Sequence, residues 1–329
     1  MRDKSFLMAT FMDQTDLGKL KINCPSICNP DALERASAHQ RAGEYAAAET
    51  IYKEILKLNP GNTRALFDYG MLAQNIKSYE NAVLFFSEAL QIDKNFAAAY
   101  RERGRAFQQL KKFREAFQDY EVALGIDPYS FDTLVSRGLL FCQKSEFNKA
   151  IDDFTRAIQL KAGSADAHYN RALAFQKLDK LEMSILDYTK SININPSNFR
   201  AYNNRGLAYR DTKLFHKAIK DFDKSIALKP DLADAYWNKA LTHLMIGDFE
   251  NAWQYYEHRW DSPNFTSPVR NFPQPLWLGK ENLKGKTILL HSEQGLGDSL
   301  QFCRYIKKFK TMDCTTLLEI ERPLISIMK

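Results

Sequence analysis

Residues 165–198 read ADAHYNRALAFQKLDKLEMSILDYTKSININPSN, and this stretch decides the fold because its pattern recurs along the chain every 34 residues. A small residue stands at its eighth position, and another follows twelve residues later. The first small position is held by Ala36, Gly70, Gly104, Gly138, Ala172, Gly206 and Ala240, and the second by Ala48, Ala82, Ala116, Ala150, Ser184, Ala218 and Ala252. Seven units keep this register without an insertion or deletion, which indicates an array of supersecondary units.

The same frame fixes the positions of aromatic rings and prolines. Rings dominate two columns, Tyr45, Tyr79, Phe113, Phe147, Phe215 and Phe249, then Tyr52, Phe86, Tyr120, Phe154, Tyr188, Phe222 and Tyr256, and proline closes units at Pro60, Pro128, Pro196 and Pro230. Small residues are needed where two helix backbones approach closely, and rings fill the space between helices. Because proline lacks an amide hydrogen, it ends the second helix. Each unit is therefore predicted to be two antiparallel helices, stabilised by stacking on its neighbours.

This pattern resembles the tetratricopeptide repeat over about Pro30 to Asn264. The resemblance implies a mostly α fold, a helical superhelix of about seven 34-residue helix-turn-helix units. The last unit departs from the pattern, because Arg259 and Trp260 replace the usual small and aliphatic pair and four prolines follow, which exclude a long helix. We therefore expect four regions: a poorly ordered segment at 1–30, the superhelix at 31–264, a proline-rich linker at 265–285 and an incomplete α/β segment at 286–329.

A second pair of columns predicts ion pairs between helices. Arginine precedes the first small position in four units, and aspartate stands on the second helix of the same units: Arg103 and Asp119, Arg137 and Asp153, Arg171 and Asp187, Arg205 and Asp221. In the second repeat, Tyr69 and Phe85 hold these positions. We expect a ladder of Arg–carboxylate pairs that fixes the register of the helices.

Ligands of this repeat family usually lie along the concave surface, which the first helix of each unit lines. Two residues before the small position that helix carries Glu34, Asp68, Glu102, Ser136, Asn170, Asn204 and Asn238. Asparagine both donates and accepts hydrogen bonds, so the row can pair with the backbone of an extended peptide. Tyr169 and Trp237 beside it offer apolar anchors. The row resembles the ladder inside O-linked N-acetylglucosamine transferase; alternatively, these asparagines bond neighbouring helix ends.

The last residues change character. KTILLHSE is an apolar run that predicts a strand, QGLGD a turn, residues 299–309 an amphipathic helix and CTTLLEIE a second strand. A strand, a crossover helix and a strand begin a parallel α/β sheet. The turn is not a dinucleotide-binding fingerprint, because Leu300 stands where G-x-G-x-x-G needs its third glycine.

YEHRW, PLWLGKENLKGKTILL and EQGLGDSLQFCRY together resemble the junction in bacterial proteins that fuse these repeats to a heptosyltransferase-like glycosyltransferase domain. The resemblance implies that Asp298 acts as general base and that Gly295 and Gly297 approach a polar ligand. Alternatively, Asp298 only caps a helix beginning at Ser299. About 65 residues follow the repeats, too few for two catalytic lobes.

We therefore expect a noncatalytic interaction scaffold that binds a protein or peptide in its concave groove, without a cofactor. The alternative is a glycosyltransferase whose repeats bind the acceptor, whose catalytic lobes are truncated or supplied elsewhere and which uses a nucleotide sugar.

Composition bounds the remaining possibilities. No run of about eighteen uncharged apolar residues exists, so no membrane insertion is expected. Five cysteines favour a reducing, cytoplasmic location over a disulfide framework. Cys24 and Cys28 lack a second ligand pair, so no metal site is predicted. The net charge of +6 is mild, and the basic stretch 101–114 lacks stacking aromatics, which favours a solvated helix face over nucleic-acid binding.

Overall fold

A computed structural model of the chain describes residues 30–293 and 295–327. The predicted N-terminal segment, with Cys24 and Cys28, lies outside these described residues apart from Pro30. The chain divides into two compact units, unit 1 at Met1–Ala208 and unit 2 at Tyr209–Lys329. The division falls inside a helix of the sixth repeat, and the boundaries predicted at residues 264 and 285 stay predictions.

Consecutive α-helices form seven pairs, and each pair is one predicted repeat. The pairs are α1 (Pro30–Arg41) and α2 (Tyr45–Leu58), α3 (Thr63–Asn75) and α4 (Tyr79–Ile92), α5 (Ala97–Gln109) and α6 (Phe113–Ile126), α7 (Phe131–Gln143) and α8 (Phe147–Leu160), α9 (Ala165–Lys177) and α10 (Leu181–Ile194), α11 (Phe199–Asp211) and α12 (Phe215–Leu228), α13 (Ala233–Met245) and α14 (Phe249–Tyr256). The predicted repeat fold is thus confirmed.

At the first small position, the backbone of the first helix packs directly against an aromatic ring of the second helix of the same repeat. A Cβ added to Gly104 would lie 2.8 Å from Cε1 of Tyr120, and one added to Gly138 would lie 2.7 Å from Cε1 of Phe154. Both rings are fully buried. The Tyr120 hydroxyl donates to Gln108 Oε1 at 2.9 Å, so its polar end is also satisfied. The small residues at this position therefore allow the close approach of two helices that the sequence predicted.

In unit 1 the first helices lie on the inner side of the stack. α1 contacts α3, and the same relation continues from α3 to α5, α7 and α9. Second helices of neighbouring repeats contact each other less. Gln108 Nε2 of α5 also donates to Gln143 Oε1 of α7 at 2.9 Å. Side chains of the first helices that point away from the second helices therefore share one face, the inner face of unit 1.

The predicted arginine ladder is confirmed for the three pairs that lie wholly in unit 1. Nε and Nη2 of each arginine donate to the two carboxylate oxygens of its aspartate. The distances are 2.8 and 2.7 Å from Arg103 to Asp119, 2.7 and 2.6 Å from Arg137 to Asp153, and 2.6 and 2.9 Å from Arg171 to Asp187. This two-point geometry fixes the guanidinium plane and with it the register of the helix pair.

The third nitrogen of these arginines reaches the preceding repeat. Nη1 donates to Ser87 Oγ from Arg103 and to Thr155 Oγ1 from Arg171, each at 3.0 Å. Arg137 Nη1 pairs with Glu121 in the same way. Each arginine therefore connects three helices, its own and the second helices of its own and the preceding repeat. The predicted solvated face at 101–114 is wrong for Arg103, because its charge faces Asp119 between helices.

Unit 2 ends in a small α/β segment. A 3-10 helix at Glu257–Asp261 follows α14, and β1 (Thr287–His291) pairs in parallel with β2 (Thr315–Glu319), with Thr287 opposite Thr315. Between them lie α15 (Leu296–Phe302) and α16 (Ile306–Phe309). Both predicted strands are confirmed. The two strands leave apolar side chains uncovered: Leu289, Leu317 and Leu318 are 40%, 52% and 42% exposed.

The predicted proline-rich linker packs against this segment. The rings of Phe272 and His291 lie 5.5 Å apart, and those of Trp277 and Phe309 lie 5.6 Å apart. Leu283 is buried.

Across the described part of the chain, every helix is too short or too polar to cross a bilayer.

We predict that Gly104→Ala destabilises the protein by about 1–3 kcal/mol, because the new methyl group overpacks against Tyr120. The methyl group would also lie 3.2 Å from the carbonyl oxygen of Ala116, which cannot rotate away. The free energy of unfolding in urea measures this loss. Gly125→Ala is the matched control, since its Cβ meets nothing within 4 Å, and it should stabilise α6 by about 0.5–1 kcal/mol. Equal effects of the two substitutions would contradict the packing argument.

Arg137→Ala should destabilise unit 1 by about 3–5 kcal/mol, because it leaves the carboxylate of Asp153 buried without its partner. Asp153 is only 3% exposed. Thermal and urea unfolding of the variant report the loss. The double variant Arg137→Met, Asp153→Leu removes both charges and should lose much less. If the double variant is no more stable than Arg137→Ala, an unpaired buried charge is not the cause.

Candidate peptide-binding site

Two acidic members of the predicted ligand column, Asp68 and Glu102, bond arginines of their own helices. Asp68 is 8% exposed and accepts a hydrogen bond from Arg64 Nε at 2.7 Å. Burial raises the pKa of the Asp68 carboxyl, and Arg64 opposes the change. Glu102, 2% exposed, accepts from Arg101 Nε and Arg105 Nη1, each at 3.0 Å. These carboxylates are therefore neutralised by arginines and are not offered to a ligand.

Asn170 has the opposite character. Its side chain is half-buried on α9, and it makes no hydrogen bond to any residue that the structure describes. One repeat earlier, the half-buried Ser136 on α7 is also without a hydrogen bond within the described ranges. Both side chains retain their full capacity to donate and accept.

Asn204 is partly engaged. Its Nδ2 donates to the Tyr169 hydroxyl of the preceding repeat at 3.0 Å, and its Oδ1 accepts from Asn203 Nδ2 at 3.2 Å. The Asn204 side chain also interacts with the Tyr188 hydroxyl. An amide side chain has two donor hydrogens and two acceptor lone pairs, so at least one acceptor lone pair is left. Burial raises the pKa of Tyr169, so its hydroxyl stays protonated at neutral pH. The structure thus brings Tyr169 and Asn204 together, with Asn170 adjacent in sequence.

The remaining predicted peptide contacts lie in unit 2. The ring of Trp237 packs edge-on against Phe265 with centroids 5.5 Å apart, and its indole Nε1 is buried without a partner among the described residues. The carbonyl oxygen of Asn238 accepts from Thr242 Oγ1 at 2.7 Å. Phe265, which sequence reasoning missed as a contact, comes from the segment after the last repeat. Trp237 packs against Phe265 in unit 2, and the peptide contacts predicted for Trp237 and Asn238 stay predictions.

The predicted glycine turn lies partly within a helix, because Gly295 precedes α15 while Gly297 and Asp298 are part of it. Gly295 has φ 49°, a conformation that favours glycine. α15 begins at Leu296, so the expectation that Asp298 caps a helix beginning at Ser299 is wrong. Asp298 lies in the first turn of α15, is exposed and makes no hydrogen bond to the described residues. Its role as general base, and the ligand contacts of Gly295 and Gly297, stay predictions.

Family models for the tetratricopeptide repeat match this chain at residues 33–95, 138–179, 165–198 and 199–232. No curated protein sequence matches it.

Solved structures share the fold. A tetratricopeptide repeat protein from Parabacteroides merdae has 20% identity and a TM-score of 0.55, covering 69% of this chain and 90% of its own. The C-terminal part of a repeat protein from Cytophaga hutchinsonii has 15% identity and a TM-score of 0.56, covering 69% and 93%. YrrB, a repeat protein described as having an unusual peptide-binding site, has 21% identity and a TM-score of 0.48, covering 56% and 95%. The matched stretches fall on the repeated helix pairs, which share the fold of tetratricopeptide repeats.

Proposed function

We propose that the inner face of unit 1 binds an extended segment of a protein partner, with Asn170 and Asn204 pairing with the partner's backbone. The observation that carries the proposal is the unused hydrogen-bonding capacity of Asn170, which is half-buried and yet makes no hydrogen bond to the described residues. Asn204, one repeat away, keeps at least one acceptor lone pair. Repeats of this type generally bind protein or peptide partners.

Apolar side chains accompany the polar positions on the same helices. A leucine stands three residues after each of the last three positions of the column in unit 1, which places it on the same helix face. These residues are Leu139, Leu173 and Leu207, none of them fully buried. Each of these three repeats therefore offers a hydrogen-bonding side chain beside an apolar one. An extended segment matches this alternation, because its backbone groups and its side chains point in different directions.

Backbone pairing predicts tolerance of partner sequence and modest affinity. Each net hydrogen bond contributes on the order of 1 kcal/mol. Because the amide side chains hydrogen-bond to the peptide backbone, which is the same in every sequence, selectivity for partner side chains must come from the leucines and from Tyr169. Asp68 and Glu102 in the first half of the column, whose carboxylates are held by arginines, contribute shape and charge balance but no free hydrogen-bonding group.

The experiment selects peptides from a random library of unstructured dodecapeptides on the wild-type chain. The double variant Asn170→Ala, Asn204→Ala should weaken binding of the selected peptides about 30- to 150-fold, from the loss of two or three hydrogen bonds. Calorimetry measures the affinity, and circular dichroism checks that helicity is unchanged. Backbone N-methylation of the peptide should weaken its binding to wild type in the same range.

The matched control is Asn148→Ala, Asn193→Ala, which removes two exposed asparagines from the second helices α8 and α10. It should leave binding unchanged. The proposal fails if both double variants bind the peptides as tightly as wild type, or if the library yields no peptide that binds.

A further inference from the structure

The least exposed charged residue among the described residues of unit 2 lies at the end of the last repeat. Arg259, in the 3-10 helix, is 5% exposed. Its Nε and Nη2 donate to the two carboxylate oxygens of Glu293 at 2.9 and 2.8 Å. The centroids of three rings lie 4.4 Å from its Cζ for Tyr256, 4.6 Å for Trp260 and 5.6 Å for Phe265. We name Arg259 and these three rings the arginine box.

The box stands where other repeats have a small or aliphatic side chain. At 34-residue intervals before Arg259 the chain has Ile55, Ala89, Ala123, Ala157, Ser191 and Ser225, all buried. Ile55 forms one apolar cluster with Ala65 of the following repeat. This position on the second helix therefore receives the next repeat. In the last repeat a guanidinium occupies it, so its partner must be a hydrogen-bond acceptor.

The Nε and Nη2 edge of the guanidinium donates to that acceptor. Nη1 is held by the Tyr256 carbonyl oxygen at 3.2 Å and by Glu257 Oε1 at 2.8 Å. The edge formed by Nε and Nη2 presents two parallel N–H groups, which match a carboxylate. The flanking rings hold the guanidinium plane in place and exclude water. A neutral group at this edge would satisfy it less well.

Glu293 is also recognised through its main chain. Ser267 Oγ donates to the Glu293 carbonyl oxygen at 3.2 Å. The surroundings therefore contact both the side chain and the backbone of one acidic residue, as a peptide-binding site does. The exposed pair Arg270 and Glu319 in the same unit differs, since its side chains are 37% and 49% exposed.

We propose that the arginine box is a carboxylate-binding site at the end of the repeat array, which Glu293 occupies within the chain. An acidic peptide segment supplied by another molecule binds there in place of Glu293. The site differs from the proposed groove of unit 1, so the two proposals are tested independently.

The experiment uses the full chain with Glu293→Ala and a peptide of residues 289–298, LLHSEQGLGD. The peptide should bind the variant about 10-fold or more tighter than the same peptide with glutamine in place of its glutamate, since a charge-assisted two-point contact is lost. Wild type should bind the peptide at least about 10-fold more weakly than the variant, because its own Glu293 competes at high effective concentration. Calorimetry measures both ratios.

Arg259→Gln added to Glu293→Ala should remove the preference for the glutamate peptide. Arg270→Gln added to Glu293→Ala is the matched control, since it removes an exposed arginine of the same unit, and it should leave the preference intact. Should Glu293→Ala lower the helical content, Glu293→Gln replaces it under the same criteria. Equal binding of the two peptides, or no binding to a fully helical variant, overturns the proposal.

Discussion

The contact between a small residue on the first helix of a repeat and a buried ring sixteen residues later on the second is the constraint on which the structure depends. It sets how closely the two backbones approach, and glycine or alanine is required because the ring fills the space that a larger side chain would need. The arginine ladder uses the same sixteen-residue relation one position earlier, as from Arg103 to Asp119. Packing and ion pairing therefore specify a single register for each helix pair.

Once the register is set, equivalent residues of the first helices line up along the inner face of the stack. Whether such a residue can contact a ligand depends on whether its side chain is already hydrogen-bonded within the protein. Asp68 and Glu102 are held by arginines of their own helices, so these positions serve stability. At Asn170 the same position carries an amide without a partner in the described structure. One geometric position thus serves structure in one half of unit 1 and is available to a ligand in the other, which is the physical basis of the proposed groove.

The end of the array follows from a change in one column. An unmodified last repeat would expose the small apolar surface that receives a neighbour, and such surfaces promote association. Arg259 replaces that surface with a buried charge, and the carboxylate of Glu293 pairs with it. Phe265 covers Trp237 in the same region. Residues after the repeats therefore close the stack without adding another helix pair.

The sequence by itself determined the helix pairs, their boundaries near the prolines, the arginine ladder and both strands of the α/β segment. All of these are periodic or local, because helix packing repeats every 34 residues and a strand is a continuous apolar run. Only the tertiary structure decided that Asn204 bonds Tyr169, that Arg64 neutralises Asp68, that the predicted linker packs on the sheet and that Arg259 meets Glu293. These contacts depend on side-chain directions and on the path of a segment outside the repeat, and no period in the sequence encodes either.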